Sequence, residues 1–223
     1  MRNEKHFETL QKCPLFDGVA AEDLPALLDC LGARTARFAK KETILAEGAP
    51  AKDMGVLLSG SAQVVRMDYF GNRSIMAGLE PPALFAESFA CAGVAEMPVS
   101  VVAGDDTEVL FIDCRRLTRS CGRACAFHQQ LIYNLMRILA AKNLNFHRKI
   151  EITSRRSTRE KLMAYLQDQA KRQNSRSFTI PYDRQGLADY LEVERSAMSA
   201  EISKLRRDGI IECERSTFHL LKH

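Results

Sequence analysis

The run Cys121, Cys125 and His128, a Cys-x3-Cys-x2-His spacing, is one place where residue types allow chemistry. On a helix these three fall at i, i+4 and i+7, close together on one face. Two thiolates and an imidazole suit zinc, haem iron or an iron–sulfur centre. A thiol pair also offers a redox switch, although disulfide geometry within a regular helix is poor. The competing reading is that these are small apolar residues where a β-domain meets a helix, a common fate of free Cys. The chain has seven cysteines, Cys13, Cys30, Cys91, Cys114, Cys121, Cys125 and Cys213. An odd number without an export signal argues for reduced thiols rather than a disulfide framework.

A second constellation runs from Asp183 to Ile211, DRQGLADYLEVERSAMSAEISKLRRDGII. Asp183 suits an N-cap. Leu187, Ala188 and Leu191 then fall on the inner face of a short helix, and Glu192-Val193 makes a tight connection. A second helix is predicted from about Glu194 to Asp208, with Met198, Ile202 and Leu205 as its buried row and Gly209 as its C′ residue. Small Ala188 lets the two helices cross closely. This is the layout of a helix-turn-helix, whose second helix lies in the DNA major groove. The expected DNA-binding residues are Arg195, Ser196, Ser199 and Ala200 near the start of that helix, Lys204 and Arg206 further along, and Arg184 at the start of the first helix. An Arg fork matches guanine O6 and N7, and serines reach base edges or phosphates. Lys204, Arg206 and Arg207 are placed to neutralise phosphates. The following IIECERSTFHLLKH reads as two strands around Arg215-Ser216-Thr217, a wing. A helical hairpin with a charged solvent face is the bland alternative.

The elements that position these residues fall into three zones: a β-roll over 1–120, a long helix over 121–152 and a winged helix over 153–223. The front zone opens with short helical stretches carrying Leu24, Leu27, Leu28 and Leu31 on one face. It continues as short apolar runs, ETILAEG, MGVLLSG, AQVVRM, SIMAGL, PVSVVA and EVLFID, cut by turns such as Gly60-Ser61 and Gly71-Asn72. Many short strands at this spacing mean a sandwich or roll. In the middle zone Leu131, Leu135, Ile138 and Leu139, continued by Phe146 and Ile150, keep helical spacing. Pairing with a second copy is the expected cover for this stripe, and a helix lying along its own roll is the competing one. The predicted fold class is therefore α+β: an N-terminal antiparallel, jelly-roll-like β-roll, a long dimerisation helix and a C-terminal winged helix-turn-helix.

Charge agrees with a polyanion at the back of the chain. Residues 1–152 hold 18 Lys+Arg and 18 Asp+Glu, whereas residues 153–223 hold 14 and 10, so the whole net charge of +4 lies there. No apolar stretch is long enough to span a membrane. The opening MRNEKHFETLQKC lacks a secretory core, so a cytoplasmic location is expected. No phosphate loop, G-x-S-x-G or hydrolase-type metal motif occurs, which argues against an enzyme.

The chain resembles the Crp/Fnr family of regulators along essentially its whole length. LFDGVAAEDLPALL resembles the family's opening helix, FAKKETILAEGAPAKDMGVLLSGSAQVV its β-roll with Gly48, Gly55 and Gly60 at turns, and RQGLADYL…RSAMSAEISKL its winged helix. The resemblance implies a homodimer on a two-fold symmetric double-stranded DNA operator, with RNA polymerase as a further partner if the protein activates. Several departures limit what carries over. Cyclic-nucleotide-binding members resemble F-G-E followed about ten residues later by Arg-Ser or Arg-Thr; here the segment is Phe85-Ala86-Glu87, then Met97-Pro98-Val99-Ser100. Glu87 could accept a ribose hydroxyl, but Met97 stands where an arginine would pair with the cyclic phosphate. A buried phosphate without a cation costs heavily in desolvation, so cyclic nucleotide is not the expected effector. Haem, a metal or another small molecule is, with Glu87, Ser88 and Phe89 and, from the long helix, Asn143, Phe146 and His147 as candidate lining. The N-terminal cysteine cluster of iron–sulfur members is reduced to Cys13. Ala200 stands where many members carry Arg, and Glu192 replaces a small turn residue, so the operator should differ. The alternative function is a sensor module that acts through protein–protein contacts.

Overall fold

The structure, a computed structural model, describes residues 6–67, 69, 73–118 and 126–221. Its contacts divide the chain into two compact units, 1–140 and 141–223. The first begins with helix α1 (Phe7–Gln11), a 3-10 turn (Pro14–Phe16) and helix α2 (Leu24–Cys30). Leu24, Leu27 and Leu28 of α2, and Leu31 just after it, are all buried, as their spacing predicts.

Eight strands follow: β1 (Arg34–Phe38), β2 (Thr43–Leu45), β3 (Asp53–Ser59), β4 (Ala62–Met67), β5 (Arg73–Leu79), β6 (Leu84–Phe85), β7 (Ser100–Ala103) and β8 (Thr107–Asp113). They form two antiparallel sheets in the orders β1-β8-β3-β6 and β2-β7-β4-β5. Ile44, Leu57, Ala62, Phe85, Val101, Ala103, Val109 and Phe111 meet in a core to which both sheets contribute. The first sheet also buries its other face. Met54, Val56, Leu58, Leu84, Leu110 and Ile112 pack on α1, α2 and the helix that leaves this unit. Burial on both faces is why MGVLLSG and EVLFID read as continuous apolar runs rather than alternating ones. Gly55 pairs with Phe85 across β3 and β6, and a Cβ there would overlap the Phe85 ring, so only glycine permits this packing. The sequence reading lacked β1 and β6. RTARF carries two arginines and looks like surface, and its Ala36 and Phe38 reach the core only because the strand pairs with β8. The expected Gly71-Asn72 turn lies outside the described residues.

Helix α3 (Glu87–Ala92) links β6 to β7, α4 (Cys114–Thr118) follows β8, and α5 spans Ala126–Thr153. The stripe assigned to a second copy requires correction. Leu131 and Leu135 are buried in the roll's own core, and Ile138 and Leu139 pack partly against it. Asn134, buried between them, donates to the carbonyls of Leu15 (2.9 Å) and Asp17 (2.7 Å) and accepts from Gln130 (3.1 Å). Apolar side chains do remain exposed on α5: Tyr133, Met136, Leu144, Phe146 and Ile150.

The second unit contains α6 (Thr158–Arg172), β9 (Ser177–Thr179), α7 (Arg184–Leu191), α8 (Arg195–Arg207), β10 (Ile211–Glu214) and β11 (Thr217–Leu220), with sheet order β10-β11-β9. Ser157 opens α6 with a capping box, its hydroxyl accepting from the Glu160 amide while the Glu160 carboxylate accepts from the Ser157 amide. Leu162, Tyr165, Leu166, Leu187, Met198, Ile202, Leu205, Ile211 and Phe218 form its core.

Candidate nucleic-acid interface and sensor site

The pair α7–α8 is built by local chemistry. Asp183 caps α7, its carboxylate accepting from the Gly186 amide at 2.7 Å. Lys161 of α6 donates to the carbonyls of Leu191 (3.3 Å) and Glu192 (3.4 Å), satisfying the C-terminal end of α7. Glu192 turns the chain in the left-handed region, φ 55°. Gly209 ends α8 at φ 62°, and the Ile210 amide returns to the Leu205 carbonyl at 3.0 Å, a Schellman closure that favours glycine. Ala188, fully buried, meets α8 without a bulky side chain.

With Met198, Ile202 and Leu205 buried, helical geometry turns Ser196, Ala200, Ser203 and Arg207 to the opposite face. Arg195, Ser199 and Arg206 lie on one shoulder, and Lys204 lies on the other. All are exposed except Ser199, which is half-buried. Two carboxylates of α8 and its C-cap are taken up by other cations. Glu201 holds Lys204 at 2.7 Å and Arg159 at 3.9 Å, and Asp208 holds Arg159 at 3.1 Å. Arg195, Arg206 and Arg207 therefore stand exposed with no ion pair among the described residues. Arg184 sits apart from this group. Its guanidinium lies 5.2 Å over the Phe218 ring and 3.4 Å from Cys213 Sγ, against the wing. Two further exposed polar residues were not among the expected DNA-binding residues. Ser203 belongs to the outward i, i+4, i+7, i+11 row 196, 200, 203, 207, though its hydroxyl donates to the Ser199 carbonyl at 3.0 Å. Arg215 occupies the turn between β10 and β11, exposed, at φ 48°.

In the first unit Glu87 opens α3, 2% exposed, and accepts from the Ser88 hydroxyl at 3.2 Å. Ser88 is exposed and Phe89 half-buried. Ala86, where the resemblance puts glycine, is left-handed at φ 60°. Met97 is buried, with Ala51 and Val99, against Leu45, Val64, Ala86 and Phe89. Its backbone is pinned both ways, from the Gly48 amide at 2.9 Å and to the Ala49 carbonyl at 2.8 Å. Around Met97 the packed side chains are thus apolar. Asn143, Phe146 and His147 are exposed and belong to the second unit.

His128 is buried on α5. Cys121 and Cys125 lie outside the described residues. Among the described residues no group of three or more His, Cys, Asp or Glu side chains is disposed to hold a metal ion. No helix among them is long and apolar enough to cross a membrane.

A two-sheet antiparallel roll followed by a winged helix-turn-helix defines a DNA-binding regulator with a sensor-type domain. Residues 35–123 match the cyclic nucleotide-binding domain family, and residues 160–222 match the Crp-like helix-turn-helix domain family. The chain belongs to the Crp/Fnr family of DNA-binding transcription regulators. Solved structures share the fold. The c-di-GMP responsive global regulator CLP of Xanthomonas campestris has TM-score 0.60 at 16% identity, covering 92% of this chain and 100% of that one. CprK in complex with OCPA has TM-score 0.66 at 12% identity, covering 90% of each chain. FixK2 from Bradyrhizobium japonicum has TM-score 0.51 at 20% identity, covering 85% of this chain and 93% of that one. No curated protein is matched by sequence.

Proposed function

We propose that this chain works as a homodimer in the cytoplasm, reads a two-fold symmetric operator with α8, and responds to an effector other than a cyclic nucleotide. The observation that carries the DNA reading is the set of exposed, unpaired arginines Arg195, Arg206 and Arg207 on a helix whose other side is locked into the core. Arg195, on the first turn of α8, is assigned to a base edge. Arg206 and Arg207, with Arg184, Ser196, Ser199, Ala200 and Lys204 nearby in sequence, are assigned to phosphates and groove walls. The expectation for Lys204 weakens, because Glu201 already neutralises it at 2.7 Å. Arg184 is assigned to bracing the wing as much as to a phosphate.

Homodimerisation is supported by the apolar row that α5 leaves exposed. Tyr133, Met136, Ala140 and Leu144 recur at intervals of three and four residues, the spacing of a helix–helix seam. The effector assignment rests on Met97. A cyclic phosphate at that position would lose its hydration shell against methionine, valine and phenylalanine. Glu87, Ser88 and Phe89 remain the candidate lining from the roll. Cys121, Cys125 and His128 remain the candidate ligands should the signal be a metal or haem.

Selection of bound duplexes from a random pool by the full chain tests this reading. Enrichment of an inverted repeat, with half-sites about one helical turn apart, is the expected result. Enrichment of a single asymmetric site, or none, contradicts it. A melting temperature raised by cyclic AMP or cyclic GMP would overturn the effector assignment.

A further inference from the structure

Two of the cysteines lie far apart in sequence yet meet in the roll. Cys91 is on α3 and Cys114 is the first residue of α4, and their sulfurs are 2.8 Å apart. That is well inside the ordinary separation of two unbonded sulfurs, and under an ångström from the length of a disulfide, about 2.05 Å. Cys91 is exposed, whereas Cys114 is buried, with its amide donating to the Lys52 carbonyl at 3.3 Å. A small oxidant therefore reaches the pair from solvent at Cys91, while Cys114 is fixed by the end of β8. Neither residue belongs to the Cys121–Cys125–His128 spacing.

We propose that Cys91 and Cys114 form a reversible intrachain disulfide when this protein meets hydrogen peroxide. The contact between the two sulfurs lowers the pKa of Cys114 below the ordinary thiol value, while the same contact and burial raise that of Cys91. The Cys114 thiolate attacks one peroxide oxygen, the O–O bond breaks, and the hydroxide that leaves takes a proton from solvent, giving a sulfenic acid and water. The second thiol then attacks the sulfenic sulfur, the S–O bond breaks, and the proton it gives up leaves with hydroxide as a second water. Two thiols are oxidised by two electrons in all, and one peroxide is reduced to two waters. The bond would tie α3, which carries Glu87, Ser88 and Phe89, to α4 at the end of β8. An oxidant would thereby act on the same wall of the roll that is the candidate effector site. The inference stands independently of the DNA reading.

Trypsin leaves both sulfurs on one peptide, residues 74–115, because no Lys or Arg lies between Arg73 and Arg115. The full chain is treated with hydrogen peroxide, quenched with catalase, alkylated in denaturant and digested. The expected peptide is two hydrogens lighter and carries no alkyl group. Cleavage after Glu87, Glu96 and Glu108 should leave pieces that separate only after dithiothreitol, and reduction before alkylation should restore two alkyl groups. Cys91→Ser, at an exposed position, should leave Cys114 without a disulfide after the same treatment. Cys114→Ser should leave Cys91 unbridged, and the Cys91 variant suffices should the buried substitution unfold the roll. Cys91 alkylated in the treated wild-type chain, Cys91 carried to sulfinic acid while Cys114 is alkylated, or either sulfur joined to another cysteine would overturn the proposal.

Discussion

At the scale of single residues, the positions that break a family habit say most about this chain. Met97 was legible in the sequence as a missing arginine. The structure adds that it is packed into an apolar cluster. Ala86 and Glu192 are left-handed without being glycine, a conformation that costs an L-residue roughly 1 kcal/mol. Glu192 gives up only an exposed 3.6 Å pairing with Lys149 on substitution. Glu192→Gly is therefore expected to stabilise the second unit by about 1 kcal/mol, read as a higher denaturation midpoint with an unchanged slope. Tyr165 could not be read this way. Its spacing marked it as core, but nothing in the sequence shows that its buried hydroxyl lacks a hydrogen-bond partner among the described residues. The ring packs 5.2 Å from Tyr190, and burial pushes the phenol's pKa up. Tyr165→Phe removes an unsatisfied polar group and keeps the ring, so stability should hold or rise by up to about 1 kcal/mol. A clear loss would mean the hydroxyl is bonded.

At the scale of elements, caps and turns were the most legible features because they depend on neighbours in sequence. Asp183 and Gly209 take the roles their residue types suggest. The capping box of α6 yields a pH prediction. Hydrogen bonds from the Ser157 amide and hydroxyl hold the Glu160 carboxyl below its ordinary value of 4.5. A carboxyl whose folded pKa is lowered contributes stability above the unfolded value, and that contribution disappears as pH falls through the folded one. Ser157→Ala should cost about 1 kcal/mol near neutral pH through the lost cap. It should also flatten the fall in stability below about pH 4.5. An acid limb identical to the wild type would contradict the box. The faces of α5 were less legible. Periodicity marks Leu131, Leu135, Ile138 and Leu139 as a stripe, yet it also allows Tyr133, Met136, Ala140 and Leu144. Which row the roll takes is decided by α1, α2 and the 3-10 turn, whose contacts are set far away in sequence. Asn134 settles the rotation by bonding two carbonyls of the N-terminal segment.

At the scale of the whole molecule, the order of zones and the basic back half were readable from composition and spacing alone. The sheet order was not, since β1 joins β8 and β2 joins β7 across long stretches of chain. Which apolar row of α5 stays exposed was not either. If Met136 and Leu144, each 57% exposed, lie in a seam between copies, a charge there should split the assembly and spare the fold. Met136→Glu with Leu144→Glu is expected to sediment as a monomer with the melting behaviour of each unit little changed. A double variant that remains a dimer would assign the seam elsewhere.

The measurement that bears most directly on the account is the salt dependence of binding to the selected operator and to unrelated duplex, for the wild type, Arg195→Ala and Arg207→Ala. Phosphate contacts release counterions, so log K should fall linearly with log salt, by about 0.9 per neutralised phosphate. Arg207→Ala should weaken both duplexes alike and reduce the slope by about 1 per protomer. Arg195→Ala should cost about 1–3 kcal/mol on the operator alone and leave unrelated duplex nearly untouched. Wild-type binding to both duplexes by the two variants, or equal losses on both from Arg195→Ala, would contradict the assignment of α8 as the reading helix.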